Sequence, residues 1–308
     1  MRDLILSIPG QIAQGIEAGS AHRVKLPYRR IISCGMGGSA IAGEMLSMAL
    51  PDVVIHWDYG VPTNTSPDDL VICTSWSGMT EETISSYHAA RKAGAQTLVI
   101  AGGGDLADTA RADDTPLVDL PALNAVPRAN VGLMAGALFA ALGHESLLPT
   151  AIDTDAIEAR AKELASAIGN RMLVVYASHP WRRLTGFWKM AYSETAKRQV
   201  MANWFPSGAH TEIVGWEGPY ADSTAFLLLR DEADAEGYAK NFDALLALMG
   251  KKGYTVLAEA LSGGSILEKS FRNYLLALLT GYHVALSLRI NPQATELLDE
   301  FKRQKAQA

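Results

Sequence analysis

The chain has 308 residues, 48% hydrophobic and 19% charged, which is enough apolar material for a packed core and excludes a mainly disordered polymer. Lysine and arginine number 27 against 33 aspartates and glutamates, and the net charge of −6 does not favour nucleic acid or an anionic membrane as the main partner. The two cysteines, Cys34 and Cys73, are too few for a disulfide framework and point to a reducing, cytoplasmic setting.

The first residues, 1–19, carry Arg2 and Asp3 and lack the long apolar core of a secretory signal. Compact apolar runs bounded by Gly, Pro, Asp or Asn then predict buried strands at 30–34, 53–58, 70–74, 97–101 and 117–120. Helices are predicted between and after them at 39–50, 81–93, 106–111 and 130–143. This alternation implies a parallel sheet with helices on both faces. A turn-rich stretch at 147–155 marks a boundary, giving domains 1–150 and 151–308. Beyond it, 154–168 reads as an amphipathic helix capped by Asp153 or Thr154. The pattern then restarts, with strands at 172–177, 225–230 and 254–260 and helices at 181–198 and 236–250. Two long helices follow at 266–289 and 292–305. The longest charge-free apolar stretches, 131–143 and 274–288, fall short of the roughly 18–20 residues that cross a bilayer. No membrane partner is expected.

Two loops after predicted strands carry chemistry. Gly35-Met36-Gly37-Gly38-Ser39-Ala40 opens a helix, and its glycines let backbone amides approach an anion. One reading is the dinucleotide fingerprint, with Asp58 near the expected acidic position. The second loop, Ser75-Trp76-Ser77-Gly78-Met79-Thr80, sets three hydroxyls around one glycine at a helix start, which suits a phosphate monoester. Thr80 read alone is simply an N-cap. Ser75 and Ser77 are not explained that way, and a dinucleotide fold needs no such loop. Together the loops favour a phosphorylated small molecule.

These residues resemble a family. The glycine loop followed by Ser75-x-Ser77-Gly78-x-Thr80-Glu81-Glu82-Thr83 is similar to the sugar isomerase (SIS) domain. Ser193-Glu194-Thr195-Ala196-Lys197 and His210-Thr211-Glu212-Ile213-Val214-Gly215-Trp216 resemble the bifunctional phosphoglucose/phosphomannose isomerases. So do Pro127-Arg128 and the C-terminal helix with Lys302, and the resemblance covers nearly the whole chain. It implies an α/β fold of two SIS-type αβα sandwich subdomains, each with a mainly parallel sheet. It also implies a homodimer whose active site takes one histidine from the partner subunit. The activity implied is interconversion of glucose 6-phosphate and/or mannose 6-phosphate with fructose 6-phosphate through an enediol, with no cofactor and no metal.

That chemistry assigns roles. Ser75, Ser77 and Thr80, with Gly37, Gly38 and Ser39, would hold the phosphate. Glu194 would move the proton between C2 and C1, since a carboxylate can both accept and return it. Its plain alternative is a solvated helix glutamate paired with Arg198. His210, in an irregular stretch after Pro206-Ser207-Gly208-Ala209, would open the ring, because neutral imidazole moves protons near physiological pH. Lys302 would assist it, and Arg128 would stabilise the enediolate. His144, His179 and His283 lack motif context and are assigned structural roles.

Three positions depart from the subgroup: Met79, Thr195 and Thr211 stand where asparagine is usual. They bear on the identity of the sugar more than on the reaction. The rival readings are a non-catalytic SIS sensor, which would not need Glu194, His210 and Lys302, and a nicotinamide-dependent dehydrogenase, which leaves the hydroxyl loop unexplained.

Overall fold

A computed structural model describes residues 1–24, 27–121, 123 and 126–307. The chain divides into two compact units, one of Asp3–Ile152 with Gly263–Phe271, the other of Met1–Arg2, Asp153–Ser262 and Arg272–Ala308.

The N-terminal unit follows α1 (Arg2–Leu6) and α2 (Ile8–Ser20) with β1 (Ile31–Cys34), α3 (Ala40–Ala49), β2 (Val53–His56), β3 (Leu70–Ser75) and α4 (Glu81–Lys92). Then come β4 (Gln96–Ala101), α5 (Gly104–Ala112), β5 (Leu117–Asp119) and α6 (Val131–Ala141). Its strands lie parallel in the order β2-β1-β3-β4-β5. β1 and β3 are buried along their whole length, which is why they read as unbroken apolar runs rather than alternating ones. In register, Cys34 of β1 lies directly beside Cys73 of β3, both buried. The strand order turns back between β1 and β3, opening a crevice at their C-terminal ends.

The C-terminal unit contains α7 (Thr154–Ile168), β6 (Met172–Ser178), α8 (Arg182–Ala196), β7 (Val200–Phe205), α9 (Ser207–Thr211) and β8 (Thr224–Arg230). After these come α10 (Glu236–Lys251), β9 (Thr255–Ala260), α11 (Ile266–Ser287) and α12 (Glu296–Gln307). Its parallel order is β7-β6-β8-β9. Two parallel sheets flanked by helices are the fold class expected from the sequence. Asp153 is the cap of α7, its Oδ1 accepting the Ala156 N–H at 3.0 Å. No described helix is long and apolar enough to cross a membrane.

Several elements differ from expectation. The helix α2 was not predicted, because its glycines are poor helix formers in isolation. They serve packing instead: a Cβ on Gly15 would stand 2.2 Å from the Leu133 carbonyl oxygen, and one on Gly136 would stand 2.3 Å from that of Ile12. The backbones of α2 and α6 therefore touch. Gln11 seals the contact, donating from Nε2 to the Ala129 carbonyl at 2.7 Å and accepting the Leu133 N–H at Oε1. The strand β7 was also unforeseen: it is an edge strand with a half-exposed middle that includes Asn203. The helix expected over 181–198 stops at Ala196, where Lys197 turns left-handed at φ 55°. Arg198 thus lies beyond the helix, and the alternative reading of Glu194 as an i,i+4 helix partner of Arg198 lacks its helical geometry.

Candidate active site

In the N-terminal unit the glycine loop and the hydroxyl loop leave β1 and β3 at the crevice. They are tied together, Ser39 Oγ accepting the Trp76 N–H at 3.0 Å. Ser75 is buried, and its hydroxyl meets Thr80 Oγ1 at 3.0 Å while accepting the Gly78 N–H at 3.1 Å. Thr80 does stand at the N-cap of α4, but its hydroxyl faces Ser75 and makes no capping bond. Ser77 is exposed, and its Oγ accepts the Met79 N–H at 3.2 Å. Gly78 adopts φ 65°, and a Cβ there would overlap the Gly103 carbonyl at 1.7 Å.

That contact reveals a third loop, Gly102-Gly103-Gly104, which follows β4 and braces the second. Gly102 N donates to the Trp76 carbonyl, and Leu106 N to that of Gly78. Met79 takes part: its sulfur accepts the Asp105 N–H at 3.5 Å. The run of three glycines after a predicted strand is the signal for this brace in the sequence.

Arg128 closes the other side. Its backbone N would lie 2.8 Å from a Cβ on Gly38, and its side chain is only 1% exposed. Gly37, Gly38, Ser39, Ser75, Ser77, Thr80 and Arg128 thus belong to one constellation in one unit. Hydroxyls and loop amides converging on the N-terminus of α4 suit a phosphate monoester.

The matching reversal in the C-terminal sheet, between β6 and β8, has the opposite character. Ser178 Oγ donates to Asp234 Oδ1 at 2.6 Å, and Asp231 N donates to Asp234 Oδ2 at 3.0 Å. Asp231 is buried and accepts the Ala233 N–H at 2.8 Å. Carboxylates fill the place where the first sheet offers hydroxyls. Among the described residues no group of three or more His, Cys, Asp or Glu comes together to hold a metal.

Glu194 lies near the end of α8, half-buried. It borders an open hollow of about 910 Å³ together with Ile290, Leu297, Leu298 and Phe301. Lys302 follows Phe301 on α12 and is exposed. The neighbouring Thr195 is fully buried, its Cβ close against α11, where a Cβ on Gly281 would stand 3.1 Å away.

His210 is exposed on the single turn α9. Glu212, just beyond that turn, accepts the Tyr176 hydroxyl at 2.5 Å and Asn203 Nδ2 at 2.6 Å. Burial, with Glu212 beside it, pushes the Tyr176 hydroxyl well above its ordinary pKa, so it stays protonated. Ala209 and Ile213 pack on the aromatic cluster of Tyr176, Phe205, Trp216, Phe226 and Phe242, the last from α10. The helices α8 and α10 lead away from the centre of the sheet in opposite directions, so right-handed crossovers put them on opposite faces. His210 accordingly lies on the α10 face and Glu194 on the α8 face.

Residues 157–304 match the family model of the bacterial phospho-glucose isomerase C-terminal SIS domain. That stretch is similar to this SIS domain, and the likeness of the chain to curated relatives is wider still. It is 27% identical to the bifunctional phosphoglucose/phosphomannose isomerase of Aquifex aeolicus, over 90% of this chain and 91% of the relative. It is 28% identical to the protein of the same name from Thermoplasma volcanium, over 91% and 92%. Among solved structures, tagatose-6-phosphate ketose/aldose isomerase from Escherichia coli superposes with a TM-score of 0.65 at 16% identity, covering 94% of this chain and 93% of that one. That likeness establishes the SIS fold.

Proposed function

We propose that the chain is an aldose–ketose isomerase that interconverts glucose 6-phosphate and/or mannose 6-phosphate with fructose 6-phosphate through an enediol. The observation that carries this reading is the whole-length similarity to curated phosphoglucose/phosphomannose isomerases, joined to a hydroxyl and glycine cradle at the β1/β3 reversal. Residues 1–150 form the cradle's subdomain, and residues 151–308 carry Glu194, His210 and Lys302. Ser77 and Thr80 hold the phosphate with the loop amides, while Ser75 and Ser39 with Gly37 and Gly38 keep the loops in shape. His210, helped by Lys302, opens the ring. Glu194 takes the proton from C2 and returns it to C1. Arg128, buried beside Gly38, supplies fixed positive charge, which acts strongly in a dry setting when the enediolate forms. The cysteine pair is free, as suits a cytoplasmic enzyme.

The working unit is a homodimer in which each site takes His210 from the other subunit. Supporting this, Glu194 and His210 of one chain sit on opposite faces of the same sheet. A sheet with its side chains is about 10 Å thick, too far for both to reach one sugar carbon.

Glu194→Gln keeps size and loses the base. It should retain phosphate ester binding and lose both isomerisation and solvent exchange of the C2 hydrogen. A loss of three decades corresponds to about 4 kcal/mol of transition-state stabilisation. Mixing it with His210→Ala, itself slow on the cyclic substrate, should restore up to about a quarter of wild-type turnover on that substrate, since a mixed two-fold dimer rebuilds one intact site. Near-normal exchange in Glu194→Gln sinks the base assignment, and absence of complementation sinks the shared site.

A further inference from the structure

The turn α9 is a single helical turn, too short to hold its own conformation. Yet it presents His210 to solvent from a fixed mount. Both ends of the turn rest on one side chain, Tyr176 in β6. At the leading end Gly208 lies over the ring, so close that a Cβ there would stand 2.7 Å from Tyr176 Cε1. At the trailing end the Tyr176 hydroxyl donates to Glu212 Oε2, whose other oxygen is held by Asn203. The ring itself is immobilised, stacked on Phe205 at 5.1 Å and on Phe226 at 6.3 Å between centroids. Trp216 Nε1 approaches the hydroxyl at 3.4 Å.

We propose that Tyr176 is the positioning residue for His210, its ring seating Gly208 and its hydroxyl clamping Glu212, so that the imidazole is presented at one fixed height and angle. This rests on the reading of His210 as the ring-opening group. Tyr176 touches no sugar; its effect passes through the turn.

Tyr176→Phe removes one oxygen and leaves the aromatic stack. Two substrates separate a positioning role from a structural one: cyclic glucose 6-phosphate, and a 4,5-dideoxy aldose 6-phosphate that lacks both hydroxyls able to close a ring. Tyr176→Phe should lower kcat on the cyclic substrate roughly ten- to hundredfold, the cost of a displacement near 1 Å, with KM within about twofold. On the acyclic substrate kcat should hold. Gly208→Ala, which pushes the turn off the ring from the other end, should show the same selective loss, and it decides the matter if Tyr176→Phe fails to fold by circular dichroism. In a His210→Ala background neither change should cost anything more. Equal losses on both substrates, no loss, or losses that persist without His210 overturn the positioning role. If His210→Ala itself fails to separate the two substrates, the ring-opening reading falls and takes this inference with it. If it does separate them and Tyr176→Phe does not, only the role of Tyr176 falls.

Discussion

Ser77 has an exposed hydroxyl whose oxygen already accepts the Met79 N–H, which leaves its proton to donate to a phosphate oxygen. Ser75, two residues earlier, is buried and engaged with both Thr80 and Gly78. The two alanine variants should therefore differ. Ser77→Ala should weaken calorimetric affinity for a sugar phosphate several-fold, one hydrogen bond's worth at about 1 kcal/mol, with no change in unfolding midpoint. Ser75→Ala should cost about 1–2 kcal/mol of stability in denaturant titration and weaken binding only as the loop loosens. Equal behaviour of the pair would contradict this division. Residue spacing made all three hydroxyls of this loop readable as candidates. Which of them faces outward was not readable, because that depends on the Gly102–Gly104 brace, formed by a loop 25 residues further along the chain. Met79 shows the same limit. In the sequence it is a missing amide; in the fold its sulfur receives the Asp105 N–H.

At the level of elements, α2 and α6 pack backbone to backbone, and this contact sets a sharp test. Gly15→Ala inserts a methyl where the Leu133 carbonyl oxygen would stand 2.2 Å away, so the helices must separate. The expected loss is about 1–3 kcal/mol, read as a lower melting temperature; Gly10→Ala, with open space around it, should raise helix propensity without harm. Destabilisation by both to the same degree would remove the special role of the contact. The buried strands of both sheets were legible because parallel strands covered on two faces are apolar throughout. The helix α2 and the strand β7 were not. The glycines of α2 look like helix breakers until α6 is present, and β7 carries Asn203 at a sheet edge, where half-exposure erases the apolar run. The turn α9 likewise reads as irregular sequence, because what shapes it is Tyr176 from another strand.

Across the molecule, the two sheets share a strand order while their reversals differ in charge. The first offers hydroxyls and amides; the second is filled by Asp231 and Asp234. On the proposed function only the first reversal offers the donors that a phosphate needs, so the described residues supply one cradle in the duplicated architecture. The same asymmetry extends to the thiols. Both cysteines of the chain, Cys34 and Cys73, sit side by side in the N-terminal sheet at 1% and 0% exposure. The Cys34 thiol beside it, and then burial, push Cys73 well above the ordinary thiol range. Thiolate, the form that alkylating reagents attack, is scarce there and out of reach. The pair therefore works as a built-in reporter of breathing in one half of the protein. With excess iodoacetamide in native buffer, mass spectrometry should find both thiols unmodified over minutes, and both modified in denaturant. Rapid labelling of the native protein would contradict the buried pairing. The slow native labelling rate then reports the population of the opened N-terminal sheet, free of any signal from the C-terminal unit, and Gly15→Ala should raise it about tenfold for each 1.4 kcal/mol of stability it removes.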